Sequence, residues 1–250
     1  MIIEYHRPKT IEEALELLAT SEIMTYPMGG GSALNQPLKE SFAVVDLQDL
    51  GLNSINDRGN LLDLGATVTL QALMEVEGLQ PALIQAVRHE AAYNLRQVGT
   101  LAGTLVASNG RSPFTTAFLA LDAAITMHPR EETHALGELL PLRAEILRGR
   151  LITHVTIPRN ARLAYQAVSR TPSDQPIVCA AAARWPSGRT RVALGGFGKA
   201  PSMAFDGTED SGAEVAARDA YSHAEDQWAS AEYRREMAEV LTRRCLEEVM

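Results

Sequence analysis

Two glycine-bearing segments hold the residue types best suited to chemistry. Met28-Gly29-Gly30-Gly31-Ser32 follows a short apolar run, and Gly99-Thr100-Leu101-Ala102-Gly103-Thr104 lies well downstream. A dinucleotide's pyrophosphate needs several backbone N–H donors converging on it. Glycine turns supply them because no Cβ obstructs the approach of the main chain. Neither segment is a Rossmann GxGxxG followed by a ribose-binding acid, and no Gly-Lys-Ser/Thr marks a Walker loop. Each taken singly is better explained by an ordinary turn or by close packing, so their weight lies in the combination.

Other chemistries find less support. The six histidines include no HxxxH, and His89, His128, His134 and His223 read as solvated or structural. Glu12-Glu13 and Glu247-Glu248 read as solvated helix faces, and no Ser/His/Asp arrangement can be picked out. Cys179 and Cys245 are the only cysteines and form no CxxC, which excludes an iron–sulfur or zinc site built by this chain alone. Both are expected to be buried thiols.

The elements that must position the glycine segments follow from capping and periodicity. Thr10-Ile11-Glu12-Glu13 reads as a capping box ahead of a helix carrying Ala14, Leu15, Leu17 and Leu18. Ile23 to Pro27 reads as a strand entering the first glycine segment, with further strands at 42–47 and 61–66. Thr69 is placed to cap a helix through Leu70, Leu73, Met74 and Val76. A helix over 81–92 leads to a second glycine-bearing loop at 99–104, and Ser112-Pro113 opens another helix. Strands are expected at 125–128 and 151–157. After Pro158-Arg159-Asn160 the pattern becomes strand-dominated, with strands at 163–168, 177–185 and 190–197. Residues 205–212 read as a polar loop. The tail from Ser230 forms an amphipathic helix with Tyr233, Met237, Val240, Leu241 and Cys245 on one face.

At 250 residues, 46% hydrophobic and 22% charged, the chain is an ordinary α+β globular protein that needs no disulfide staples. A net charge of −8 without basic clusters gives a nucleic-acid partner little electrostatic support. No apolar run approaches the roughly 18–20 residues of a membrane helix, and the first residues suit a strand better than a secretory signal. A cytoplasmic location is expected.

In order along the chain, several motifs together resemble the FAD-binding medium subunit of molybdenum hydroxylases, the aerobic carbon monoxide dehydrogenase and xanthine dehydrogenase family. They are Tyr5-His6-Arg7-Pro8 with Thr10-Ile11-Glu12-Glu13-Ala14, Met28-Gly29-Gly30-Gly31-Ser32-Ala33-Leu34, Val45-Asp46-Leu47, and Leu64-Gly65-Ala66-Thr67-Val68-Thr69. Leu95-Arg96-Gln97-Val98-Gly99-Thr100-Leu101-Ala102-Gly103 and Leu119-Ala120-Leu121-Asp122-Ala123 follow. The likeness continues through Ala164-Tyr165, Arg170, Asp174, residues 180–183, Ala193-Leu194-Gly195-Gly196 and Ser230 to Arg235, covering nearly the whole chain.

The resemblance implies a two-subdomain PCMH-type FAD-binding domain over 1–159, with subdomains of about 1–55 and 56–159. A small carboxy-terminal domain over 160–250, with a three-stranded sheet and helices, would complete the chain. It implies FAD as cofactor, held by Met28, Gly29, Gly30, Gly31, Ser32, Ala33 and Leu34 from the first segment. Gly99, Thr100, Leu101, Ala102, Gly103 and Thr104 from the second, with Asn109 and Tyr165, would complete the set. An iron–sulfur small subunit and a molybdopterin large subunit are the implied partners, in a dimer of heterotrimers.

The chain departs from the family where a Gly-Gly-Asn is usual, carrying Ala102-Gly103-Thr104, and where acids are usual, carrying Asn109 and Pro113. Ala167 stands where a lysine is common, and the stretch 128–150 is short. These departures raise an alternative: the same fold with flavin binding lost, acting as a scaffold or assembly subunit.

Overall fold

A computed structural model describes residues 1–20, 23–35 and 40–250. The described residues form three sheets. The first is all parallel, ordered β1 (Ile2–His6), β3 (Phe42–Asp46), β2 (Thr25–Met28). Helix α1 (Ile11–Thr20) makes the crossover from β1 to β2. Every residue of β3 is buried, as expected of a central strand in a parallel sheet. Thr10 Oγ1 accepts the Glu13 N–H at 3.2 Å, while the Glu13 carboxylate reaches one residue further back, to the Lys9 N–H at 2.9 Å.

The second sheet is antiparallel throughout. Its order is β4 (Ile55–Asp57), β5 (Leu61–Gly65), β8 (Leu151–Pro158), β6 (Ala124–His128), β7 (Glu132–Ala135). Between β5 and β6 run α2 (Leu70–Met74), α3 (Pro81–Glu90), α4 (Tyr93–Val98), α5 (Leu101–Ala107) and α6 (Pro113–Ala120). Helix α7 (Leu136–Ile146), kinked at Leu142 just after Pro141, connects β7 to β8. Thr69 and Ser112 cap α2 and α6, accepting from Ala72 N and Thr115 N.

Helix α6 is buried along its whole length, and its amino end has a second, long-range cap. Glu90 Oε2, at the end of α3, accepts from Ser112 Oγ at 2.7 Å and from the Phe114 N–H at 3.1 Å. Burial pushes the Glu90 carboxyl up, with the Ser112 and Phe114 hydrogen bonds opposing. A carboxyl whose folded pKa is raised favours the fold more as pH falls through that value. Glu90→Gln therefore keeps an acceptor and is expected to leave stability at pH 7 equal or slightly higher, with less gain towards acid. Glu90→Leu strands a buried N–H and is expected to cost about 1–3 kcal/mol, read from denaturant midpoints.

The third sheet is β12 (Ser202–Gly207), β11 (Thr190–Gly195), β10 (Val178–Arg184), β9 (Arg162–Val168), again antiparallel. Helices α8 (Ala213–Ala220) and α9 (Ala231–Val249) follow it. Alternation along β10 explains the layering. Cys179, Ala181 and Ala183 face the core shared with α3 and α6, whereas Ala180 and Ala182 face the core shared with α8 and α9. The small side chains of this run let helices pack closely on both faces.

Four expectations need correction. The third sheet has four strands where three were implied. Residues 202–207, half of them read as polar loop, pair with β11 as an edge strand whose Asp206 meets Arg189 and Arg191. The supposed loop at 99–104 is mostly the start of α5, because Leu101 and Leu105, one helical turn apart, are both buried and Thr100 caps them. The buried face of α9 is Arg234, Ala238, Leu241, Cys245 and Val249, rotated from the expected one, with Tyr233 exposed.

Candidate functional site

Strand β2 delivers the first glycine segment to the end of the parallel sheet, where Met28 pairs with Asp46 and the Met28 carbonyl accepts the Leu47 N–H at 3.0 Å. Gly31 turns the chain with φ +69°, a conformation that glycine alone adopts freely. Its carbonyl accepts from Leu34 N at 3.1 Å and Asn35 N at 3.2 Å. Among the described residues, no acceptor takes the N–H groups of Gly29, Gly30, Gly31, Ser32 or Ala33. Five successive amides are thus free, in a turn that is half-buried at Gly29 to Gly31 and exposed at Ser32 and Ala33. Successive free N–H groups in a turn make a concavity suited to an anion.

The second segment behaves differently. Gly99 N donates to Leu95 O at 2.7 Å, Leu101 N to Val68 O at 2.8 Å, and Ala102 N to Ala66 O at 3.1 Å. Gly103 N donates to Thr100 Oγ1 at 3.3 Å and Thr104 N to Thr100 O at 2.8 Å. Only the Thr100 N–H is without a partner here among the described residues. Thr104 also gives its hydroxyl proton to Thr100 O at 2.8 Å, whereas the Thr100 hydroxyl, an acceptor in the cap, keeps its own proton to donate.

The two segments meet. A Cβ built on Gly29 would lie 2.5 Å from Thr100 Oγ1, and one built on Gly30 only 1.5 Å from the Val98 carbonyl oxygen. Glycine at position 30 is required by the close passage of one backbone over the other, whereas at position 29 it makes room for the Thr100 side chain.

Asn109 and Tyr165 are positioned otherwise. Asn109 is exposed and closes a turn by accepting the Arg111 N–H on Oδ1 at 2.8 Å. Tyr165 is 1% exposed in the core, 3.3 Å from His89 Nδ1 through its hydroxyl, so its ring offers no face to a ligand in this arrangement. Burial drives the Tyr165 hydroxyl far above its ordinary range and lowers His89.

Sequence reasoning missed the support beneath the first turn. Asp46, 2% exposed, receives the Tyr5 hydroxyl and the Gln48 N–H, the latter at 3.0 Å. That hydrogen bond to Asp46 raises the Tyr5 pKa. Both residues stand in motifs already noted, but only the β1–β3 pairing brings them together. Among the described residues no group of three His, Cys, Asp or Glu could hold a metal ion, and no helix is long and apolar enough to cross a membrane.

Comparison with known proteins agrees with this architecture. The family described as FAD binding domain in molybdopterin dehydrogenase matches residues 1–160. The protein YgfM of Escherichia coli is 28% identical over 248 residues, covering 96% of this chain and 94% of that one. The nicotine 6-hydroxylase medium subunit of Paenarthrobacter nicotinovorans is 27% identical over 273 residues, covering 98% of this chain and 96% of its own. Among solved structures, a chain of reconstituted CO dehydrogenase from Oligotropha carboxidovorans superposes with a TM-score of 0.83 at 26% identity, covering 98% of this chain and 96% of that chain. A family match across more than half of the sequence, joined to full-length relatives and a shared fold, places this chain in the family of FAD-binding domains of molybdopterin dehydrogenases.

Proposed function

We propose that this chain is the FAD-holding, electron-transferring medium subunit of a heteromeric molybdenum hydroxylase. Electrons released at a partner's molybdopterin would pass through a second partner's iron–sulfur clusters to FAD on this chain, and from there to an acceptor. The observation that carries the reading is the row of five free amides from Gly29 to Ala33, seated on the α4–α5 junction. Those amides, with the Ser32 and Thr100 hydroxyls, are the groups suited to a diphosphate. Neutral dipoles fixed by the fold would then hold the phosphates with little reorganisation. The flavin supplies the exchange of electrons; the protein supplies binding, orientation and electrostatics.

The division of labour follows from ligand supply. Iron–sulfur clusters need several thiolates, and the two cysteines here are both buried and separate. The clusters and the molybdopterin are therefore assigned to a small and a large subunit, in a cytoplasmic dimer of heterotrimers. Residues 1–159 are read as the cofactor-binding part and 160–250 as the part that completes the subunit.

One observation favours the alternative scaffold reading. The second segment has its amides from Leu101 to Thr104 bonded within the chain, so it brings shape and Thr100 but few donors. Flavin content separates the two readings. Purified protein is expected to show flavin absorbance and to release about one FAD per chain on denaturation, or to take up added FAD with a rise in melting temperature. Colourless protein that also fails to take up FAD would establish the scaffold instead.

A further inference from the structure

An electropositive pocket is lined by residues outside both glycine segments. The β6–β7 hairpin tip and the turn from α7 into β8 enclose about 210 Å³ between them. Arg130, Arg148, Arg150 and His128 line it, with Glu132 as the one carboxylate. Strand pairing assembles them: β6 lies between β7 and β8, with Met127 opposite Glu132 and His128 opposite Leu151. Gly149, at φ +67°, turns the chain between Arg148 and Arg150.

The charges in this pocket do not balance. Glu132 is shared by Arg150 at 2.7 Å, Arg130 at 3.6 Å and His134 at 3.7 Å. Arg148 is exposed, and its guanidinium has no hydrogen-bond or ion-pair partner among the described residues. Glu131, 77% exposed, faces His128 at 3.5 Å from outside the lining. Three lining arginines thus stand against one lining carboxylate, which only two of them reach, on a chain whose overall charge is −8. Concentrated positive charge on an acidic protein is costly in self-repulsion unless an anion relieves it.

We propose that this pocket binds a phosphate-class anion, either inorganic phosphate or the phosphoryl group of a small phosphomonoester. Guanidinium forks match phosphate oxygens in pairs, and a phosphate's charge of about −1.5 to −2 suits the uncompensated arginines. Size limits the choice. Sites for drug-sized ligands run to roughly 300–1,000 Å³, so this pocket admits a phosphoryl group and a small appendage but not a dinucleotide. Arg150, held by Glu132, forms the fixed wall, and exposed Arg148 is the group free to close on the ligand. Because the arginines are partly solvated, binding weakens as salt rises.

The test is calorimetric titration of inorganic phosphate into the full chain, with excess FAD present and ionic strength held constant. Saturable binding of about one phosphate per chain is expected, weakened at least about tenfold in Arg148→Ala, with melting temperature and flavin content unchanged. Glucose 6-phosphate in a parallel titration separates the sources: tighter binding than phosphate assigns a phosphomonoester, and weaker binding assigns the free ion. The proposal is overturned by the absence of saturation, by equal affinity for malonate, by phosphate displacing FAD, or by affinity unmoved in both Arg148→Ala and Arg130→Ala.

Discussion

Gly30→Ala is expected to lose flavin binding and to lower stability together. The added Cβ would fall 1.5 Å from the Val98 carbonyl oxygen and 2.5 Å from its carbon, a contact between two backbones that no rotamer change relieves. The Val98–Gly99 segment cannot easily yield. Gly99 N is bonded to Leu95 O, and Gly99 O accepts the Leu70 N–H at 2.8 Å. Overpacking of this kind costs about 1–3 kcal/mol, here at the upper end. For a chain of this size that lowers the melting temperature by about 6–12 °C. With the turn lifted off α4, the five amides lose their common orientation, and FAD per chain should fall close to zero. Gly31→Ala is the contrast: its Cβ would meet nothing closer than 3.4 Å, so only the left-handed strain of about 1–2 kcal/mol applies. A Gly30→Ala protein that melts and binds FAD like the wild type would refute the placement of the site.

Asp226→Ala is expected to be the most damaging single substitution outside that turn. Arg234 is fully buried; its guanidinium meets Asp226 Oδ1 at 2.8 Å, the Ala224 carbonyl at 3.4 Å and the Phe197 ring at 5.1 Å, while its Nε has no partner among the described residues. Removing the carboxylate leaves a buried charge uncompensated, which costs about 3–5 kcal/mol. Pairing it with Arg234→Met removes that charge as well, so the double variant should recover part of the loss in urea titrations. The pH dependence has a definite sign. Burial disfavours the ionised Asp226, but the Trp228 N–H, the Arg234 hydrogen bond and charge, and the Ala229 N–H outweigh it and hold the carboxyl below its usual range. A depressed carboxyl stabilises the fold above the unfolded value of about 3.9 and ceases to as pH falls through the folded value. The gap between wild type and Asp226→Ala should therefore close below about pH 4.

How far the sequence could be read depended on the range of the interaction. Thr10, Thr69 and Ser112 cap their helices as expected, and Ser230 does so as well, because each accepts an N–H three residues on. The glycine run at 29–31 was likewise recognisable, since a backbone freed of Cβ atoms is a local property. The start of α5 was misread because glycine content argued for a loop, while burial of Leu101 and Leu105 decided for a helix. The fourth strand was missed because an edge strand with half-exposed residues has weak alternation, and Asp206 looked like loop chemistry until β11 supplied Arg191.

By itself, then, the sequence determined most of the elements, several of their caps and, through the order of its motifs, the family. Only the tertiary structure decided which donors are free. Among the described residues nothing accepts the N–H groups of Gly29 to Ala33, whereas Leu101 and Ala102 give theirs to Val68 and Ala66, residues over thirty positions away. A hydrogen bond between distant residues exists only once the chain has folded, and no local pattern of side chains records whether a main-chain amide has already found its acceptor.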